Sequence, residues 1–164
     1  FTDDTLSPVI CMMSEQEKVQ HMGGTMRLGN YPTELLLGSK SYEAYGKTSI
    51  EERHRHRYEF NNQFRSEYTD KGFILSGLSP DGKLVEVIEL RNHPWFVAVQ
   101  YHPEFKSKPT QAHPLFKDFV KAARDRRKTQ SSLVSEASVA GSSSGAPVKD
   151  PKSIVEQRSA SYSC

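Results

Sequence analysis

The sequence predicts an α/β fold in which helices are laid over a sheet, on three observations. Runs that read as strands alternate with runs that read as helices. One strand, Trp95-Phe96-Val97-Ala98-Val99, is apolar without alternation, as expected of a central strand covered on both faces. The last patterned segment carries apolar residues at helical spacing. The chain has 164 residues, enough for one domain with a core, but only 35% are hydrophobic, so part of it is expected to lie outside that core.

The elements follow in order. Pro8 to Met13 is a short apolar run and reads as a strand. Thr25-Met26-Arg27-Leu28 alternates polar and apolar side chains, the pattern of a half-buried strand, with Gly23-Gly24 and Gly29 as turns on either side. Phe60 to Tyr68 is expected to form a short helix ending before Gly72. Phe73 to Leu78 and Leu84 to Leu90 flank Ser79-Pro80-Asp81-Gly82, whose proline and glycine suit a tight reversal, so the two runs form a hairpin. Pro114 suits a first helical position. Leu115, Phe116, Phe119, Val120 and Ala123 then recur at helical spacing, so this helix should cover the sheet, with Arg124, Arg126, Arg127 and Lys128 at the negative end of its dipole. From Thr129 serine dominates and no Phe or Trp occurs, which predicts a domain over 1–128 and a disordered tail over 129–164. Ser153 and Ser159, each after a basic residue, are phosphate acceptors in one reading of the tail and solvated spacers in the other.

Charge excludes some classes of function. With 22 basic and 20 acidic residues the net charge is +2, which argues against a general polyanion binder. No apolar run approaches the roughly 20 residues of a membrane span, and no signal peptide is visible. Two cysteines, Cys11 and Cys164, make neither a disulfide framework nor a thiolate zinc site, which fits a reducing, cytoplasmic setting.

Two constellations can carry chemistry. His-Pro occurs at His93, His102 and His113, but only Tyr101-His102-Pro103-Glu104-Phe105 has a carboxylate two residues on and directly follows the apolar strand. Ligands in α/β sheets collect past the carboxyl ends of strands. A carboxylate bound to one imidazole nitrogen frees the other to shuttle a proton. The competing reading is an ordinary strand-end turn with a solvated glutamate.

The second constellation is Arg53-His54-Arg55-His56-Arg57-Tyr58-Glu59. If extended, it sets Arg53, Arg55 and Arg57 on one face and His54, His56 and Tyr58 on the other. An arginine fork can hold a substrate carboxylate through two hydrogen bonds. A surface strand paired with Glu51, Glu52 and Glu59, an RNA contact, and a His-x-His metal site compete with that reading. Cys11 lies in an apolar run and reads as a buried hydrophobe, and no serine sits in a nucleophile turn, so His102 and Glu104 lack an evident nucleophile within the chain.

Four stretches together resemble the glutamine amidotransferase domain of the CTP synthase family. They are Gly23-Gly24-Thr25-Met26-Arg27-Leu28-Gly29, Arg53 through Glu59 with Asn61, His93 through Ala98 running on to Phe105, and His113-Pro114-Leu115-Phe116. The resemblance implies a three-layer αβα, flavodoxin-like class I amidotransferase domain, incomplete at its N-terminal side. It implies His102 and Glu104 as members of a Cys-His-Glu set that hydrolyses L-glutamine, and Arg57 as a contact to bound glutamine. It implies a cysteine turn and an amidoligase domain that would precede this segment, where UTP becomes CTP with ATP and Mg2+. It further implies GTP as activator, and a tetramer or filament. Beginning at Phe1, the chain is expected to be the carboxyl-terminal part of such an enzyme, inactive alone, with no cofactor of its own. A truncated, non-catalytic binding or assembly module is the alternative.

Overall fold

The computed structural model describes residues 5–12 and 26–140, with side chains as far as 133. The Gly23-Gly24 turn and the serines at 153 and 159 lie outside the described residues. Strands β1 (Ile10–Met12), β2 (Arg27–Leu35), β3 (Ser49–His56), β4 (Tyr58–Phe60), β5 (Phe73–Leu78), β6 (Val85–Leu90) and β7 (Val97–Val99) alternate with helices α1 (Lys40–Tyr45), α2 (Arg65–Asp70) and α3 (Pro114–Ala140). Single 3-10 turns occupy Asn62–Phe64 and Pro103–Lys106. The α/β expectation holds.

Five strands form one sheet in the order β3-β2-β5-β6-β7, with every described pair antiparallel, and β1 pairs with β4 separately. Leu35, Ile50, Val87, Tyr101 and Leu115 form the core, backed by Tyr42, Tyr45, Trp95, Val97 and Val99. Short α1 is fastened at both ends. The Ser39 side chain accepts the Tyr42 N–H, Gly46 closes the C-terminus in the left-handed region at φ 69°, and the Glu89 carboxylate accepts the Lys40 and Ser41 N–H groups, each at 2.8 Å.

The predicted hairpin forms as β5 and β6. Its turn is closed by Gly82 N–H to Ser79 C=O at 2.7 Å, and the Ser79 hydroxyl accepts the Leu84 N–H at 2.9 Å. A register shift falls at Gly77, opposite Val87. A Cβ there would lie 2.5 Å from Val87 Cγ2 and 3.1 Å from Thr33 Cγ2, so glycine is what lets these strands close over the core.

Four expectations are corrected. The strand begun at Arg27 does not stop at Gly29, which sits inside β2 at φ 109°; pairing with β3 carries the strand on to Leu35. The apolar run at 95–99 is not a central strand. Only Val97–Val99 is extended, among the described residues it pairs with β6 alone, and Ala98 is exposed there, because the Val97 and Val99 side faces the core. Among the described side chains of α3 only Leu115 is buried; Phe119 and Val120 are exposed, so of these the first turn alone covers the core.

Helix α3 also continues past Lys128 to Ala140, which leaves Arg124, Arg126, Arg127 and Lys128 in mid-helix instead of at its negative pole. No glycine or proline occurs from 115 to 140, and extending a formed helix costs far less than starting one. Ser131 and Ser132 turn their hydroxyls onto the carbonyls four residues back, at 3.0 and 3.1 Å, so the serines do not break it. Compactness divides the chain into Phe1–Arg126 and Arg127–Cys164.

Gly77→Ala tests the β5–β6 packing. Forcing a methyl against Val87 is expected to destabilise the fold by about 1–3 kcal/mol, read as a lower urea midpoint.

Candidate active site

The apolar run that ends β7 delivers Tyr101 into the core and His102 to its rim. Pro103 occupies the first position of the 3-10 turn Pro103–Lys106, which folds the chain back. The turn is anchored across the sheet, because His102 N–H donates to the Arg53 carbonyl of β3 at 2.8 Å. Within it, His102 Nδ1 lies 2.7 Å from Glu104 Oε1. Glu104's own backbone N–H, and then His102, hold this carboxyl below the usual carboxylate range, so it is the acceptor and His102 Nδ1–H the donor. His102 Nε2 is thereby left with its lone pair, the arrangement a proton shuttle requires. The Phe105 ring lies 5.2 Å from the imidazole.

Strand β3 alternates as the sequence predicts as far as His56, but the bend at Arg57 breaks the pattern and leaves Tyr58 exposed instead of on the face of His54 and His56. Arg53 and Arg55 are exposed and His54 is buried, with His56 half-buried; Arg57 is exposed at the bend into β4. The competing reading of a surface strand paired with Glu51, Glu52 and Glu59 fails at two of the three: Glu51 is exposed, but the Glu52 and Glu59 carboxylates turn inward. Glu52 Oε1 receives His113 Nε2 at 3.1 Å and the Tyr45 hydroxyl at 2.9 Å, while Glu59 meets Arg27 and His56. Among the described residues no group of three His, Cys, Asp or Glu is placed to hold a metal ion, so the His-x-His pair gains no further ligands. Cys11 is half-buried in β1, opposite Glu59.

The anchored turn brings His102 and Glu104 together and sets them beside Arg53. Arg57 lies four residues further along, about 13 Å if extended. A cleft of about 470 Å³ lies behind the same turn, lined by Tyr45, Glu52, Phe105, Lys106 and His113, and it includes none of His102, Glu104 or Arg57.

Sequence reasoning missed the polar layer under the site. Arg27 is buried, with Nη1 2.7 Å from Glu86 Oε1 and 3.5 Å from Glu59 Oε1. Burial pushes the Glu59 carboxyl up to about 7 against the opposing pull of Arg27, and it raises Glu86 likewise. Burial, with Arg27 second, lowers His54 to about 3. Tyr45 is raised well above the usual phenol range, chiefly by burial and then by Tyr101. The signal was present in part: Glu86 and Glu89 interrupt an apolar strand, and Arg27 sits in a half-buried pattern. Which charges meet is a matter of sheet order.

Comparison with known proteins then decides the family. The model of the class I glutamine amidotransferases matches residues 5–122. The chain belongs to this family. A CTP synthase of Methanosphaera stadtmanae is 58% identical over 130 residues, covering 79% of this chain and 24% of that protein. A CTP synthase of Chlorobaculum tepidum is 60% identical over 125 residues, covering 76% and 22%. The chain thus spans about a quarter of the length of these relatives. The glutaminase domain of Trypanosoma brucei CTPS, solved with bound acivicin, superposes with a TM-score of 0.68 at 27% identity, covering 76% of this chain and 49% of that one. The fold is that of the class I glutamine amidotransferases, here a part of a glutaminase domain. No described helix is long and apolar enough to cross a membrane.

The polar layer makes a pH prediction for this amidotransferase segment. An unfolded histidine titrates near 6.5 and folded His54 near 3, so the unfolded state binds the extra proton between those values. Stability contributed by neutral His54 is complete above pH 6.5 and is lost as pH falls toward 3. In His54→Leu the urea midpoint is expected to fall less between pH 6.5 and 4 than in the parent; an equal fall would mean that His54 does not set this dependence.

Proposed function

We propose that this segment is the glutaminase part of a CTP synthase and supplies two members of its catalytic set, His102 and Glu104, together with a glutamine contact, Arg57. The observation that carries the reading is the 2.7 Å His102–Glu104 bond at the end of β7, within a chain of this family. The similarity of 58–60% to CTP synthases supports the choice among class I amidotransferases.

The chemistry follows from the tautomer. A cysteine thiol, contributed by sequence other than the described residues, gives its proton to His102 Nε2, attacks the side-chain amide carbon of L-glutamine and forms a tetrahedral adduct. His102 passes that proton to the amide nitrogen, the C–N bond breaks, and ammonia leaves a γ-glutamyl thioester. His102 then takes a proton from water, and the resulting hydroxide attacks the thioester. The C–S bond breaks, His102 returns the proton to sulfur, and glutamate is released. Glu104 holds the imidazole in one tautomer and stabilises its cationic form in both steps. Arg57 binds the α-carboxylate of glutamine through its two-pronged guanidinium.

The ammonia serves an amidoligase reaction in which UTP, activated by ATP with Mg2+, becomes CTP. GTP acts as activator, the assembled enzyme is a tetramer or filament, and the setting is cytoplasmic; these parts of the reading rest on the relatives and on the family resemblance. By itself the 164-residue chain is expected to hydrolyse no glutamine.

Two substitutions in the complete enzyme test this. His102→Ala is expected to abolish glutamine-supported CTP formation, by a factor of at least about 100, while ammonia-supported formation persists. Loss of both activities, or of neither, would remove His102 from the role. Arg57→Ala should raise the glutamine KM by roughly 30-fold, about 2 kcal/mol, as a charge-assisted bond is lost; an unchanged KM would take Arg57 out of the site.

A further inference from the structure

Two histidines of β3 have no part in the chemistry above, yet their hydrogen bonds run to the residue on the far side of Arg57. His56 Nδ1 lies 3.0 Å from the Tyr58 carbonyl oxygen. A carbonyl only accepts, so His56 Nδ1 carries the proton and donates it. Neutral His56 then presents the lone pair of Nε2, and His54 Nδ1–H donates to it across 2.8 Å. The opposite order would turn the Nδ1 lone pair of His56 against the Tyr58 carbonyl.

The order of donors is held by what surrounds it. Burial, with the Arg27 guanidinium second, keeps His54 neutral and disfavours the charged form of His56. Tyr31 and Tyr101 pack against the His54 ring in edge-type contacts, at centroid separations of 5.5 and 5.8 Å. Glu86 faces His54 Nδ1 at 3.9 Å, and Glu59 faces His56 Nδ1 at 3.4 Å. A proton taken up by His102, in the neighbouring turn, would further disfavour protonation of both imidazoles. Behind them Arg27 is fixed between Glu59 and Glu86.

The residue enclosed by the last bond of this relay is Arg57. The chain bends there between β3 and β4, and the His56 side chain closes the bend onto the Tyr58 carbonyl. Arg57 is exposed, so its own side chain is not what fixes the backbone at this point. We infer that His56, with His54 behind it, is a positioning residue that sets the direction in which Arg57 leaves the sheet toward glutamine. This rests on the glutamine-binding reading of Arg57.

The test separates the two. In Asn the side-chain N–H group lies where His56 has Nδ1, so His56→Asn keeps a donor to Tyr58. In Gln the polar group lies where His56 has Nε2, so His56→Gln keeps a partner for His54 and loses the bond to Tyr58. In the complete enzyme, His56→Gln is expected to raise the glutamine KM about tenfold, with kcat at saturating glutamine and ammonia-supported CTP formation within about twofold of the parent. His56→Asn should stay within about twofold on all three. The double variant with Arg57→Ala should be no worse than Arg57→Ala alone, since His56 acts through Arg57. Equal effects of Asn and Gln at position 56, or multiplying effects in the double variant, would overturn the inference. A normal KM in His56→Gln beside a raised KM in Arg57→Ala would overturn it alone, whereas a normal KM in Arg57→Ala would overturn the reading beneath it as well. Thermal melting of each variant, with His56→Ala as a third, distinguishes a lost bend from a lost fold.

Discussion

A carboxylate taken out of water must find a charge or a set of donors inside the protein, and Glu52, Glu59, Glu86 and Glu89 impose that requirement on this fold. Each is at most 3% exposed. Glu89 meets it with the backbone N–H groups that begin α1, Glu52 with Tyr45 and His113, and Glu59 and Glu86 with Arg27. Every one of these partners comes from another element, so satisfying the charges is the same event as docking α1, the start of α3, and β2 against the rest of the sheet. Such pairs do little for net stability compared with apolar packing, yet leaving one unpaired is costly, so they select a single arrangement.

That selection reaches the His102–Glu104 turn through the backbone. Tyr101 is locked in the core, its hydroxyl 3.2 Å from that of Tyr45, which in turn donates to Glu52. The next residue, His102, therefore emerges at a fixed point and is tied to Arg53 by its own N–H. Proline then holds the turn so that Glu104 returns to the imidazole. His102 is half-buried and Glu104 exposed while their supports are buried, so the pair is open to solvent and still keeps one orientation.

Strand β3 divides labour between its faces. Its outward side carries guanidiniums suited to an anionic ligand, and its inward side carries imidazoles that burial and Arg27 keep uncharged. Alternation at period 2 places opposite chemistries on one strand without bringing the arginines into the low-dielectric interior. The bend at Arg57 is where the two faces are coupled, by a side chain of the inner face binding a carbonyl beyond the outer residue.

Much of this was legible in the residues themselves. The β5–β6 hairpin followed from Ser79-Pro80-Asp81-Gly82, the two faces of β3 from strict alternation, and the His102–Glu104 pair from spacing around Pro103, because each depends on local backbone geometry. The apolar run at 95–99 misled, since a strand's place in a sheet depends on which partners pair with it, and the helix at 114 ran past its expected end because nothing in 115–140 breaks it. The meeting of Arg27 with Glu86, or of Glu52 with His113, lay beyond any reading of the chain. Those contacts join residues about 60 positions apart, and only sheet order and the cost of an unpaired buried charge decide them.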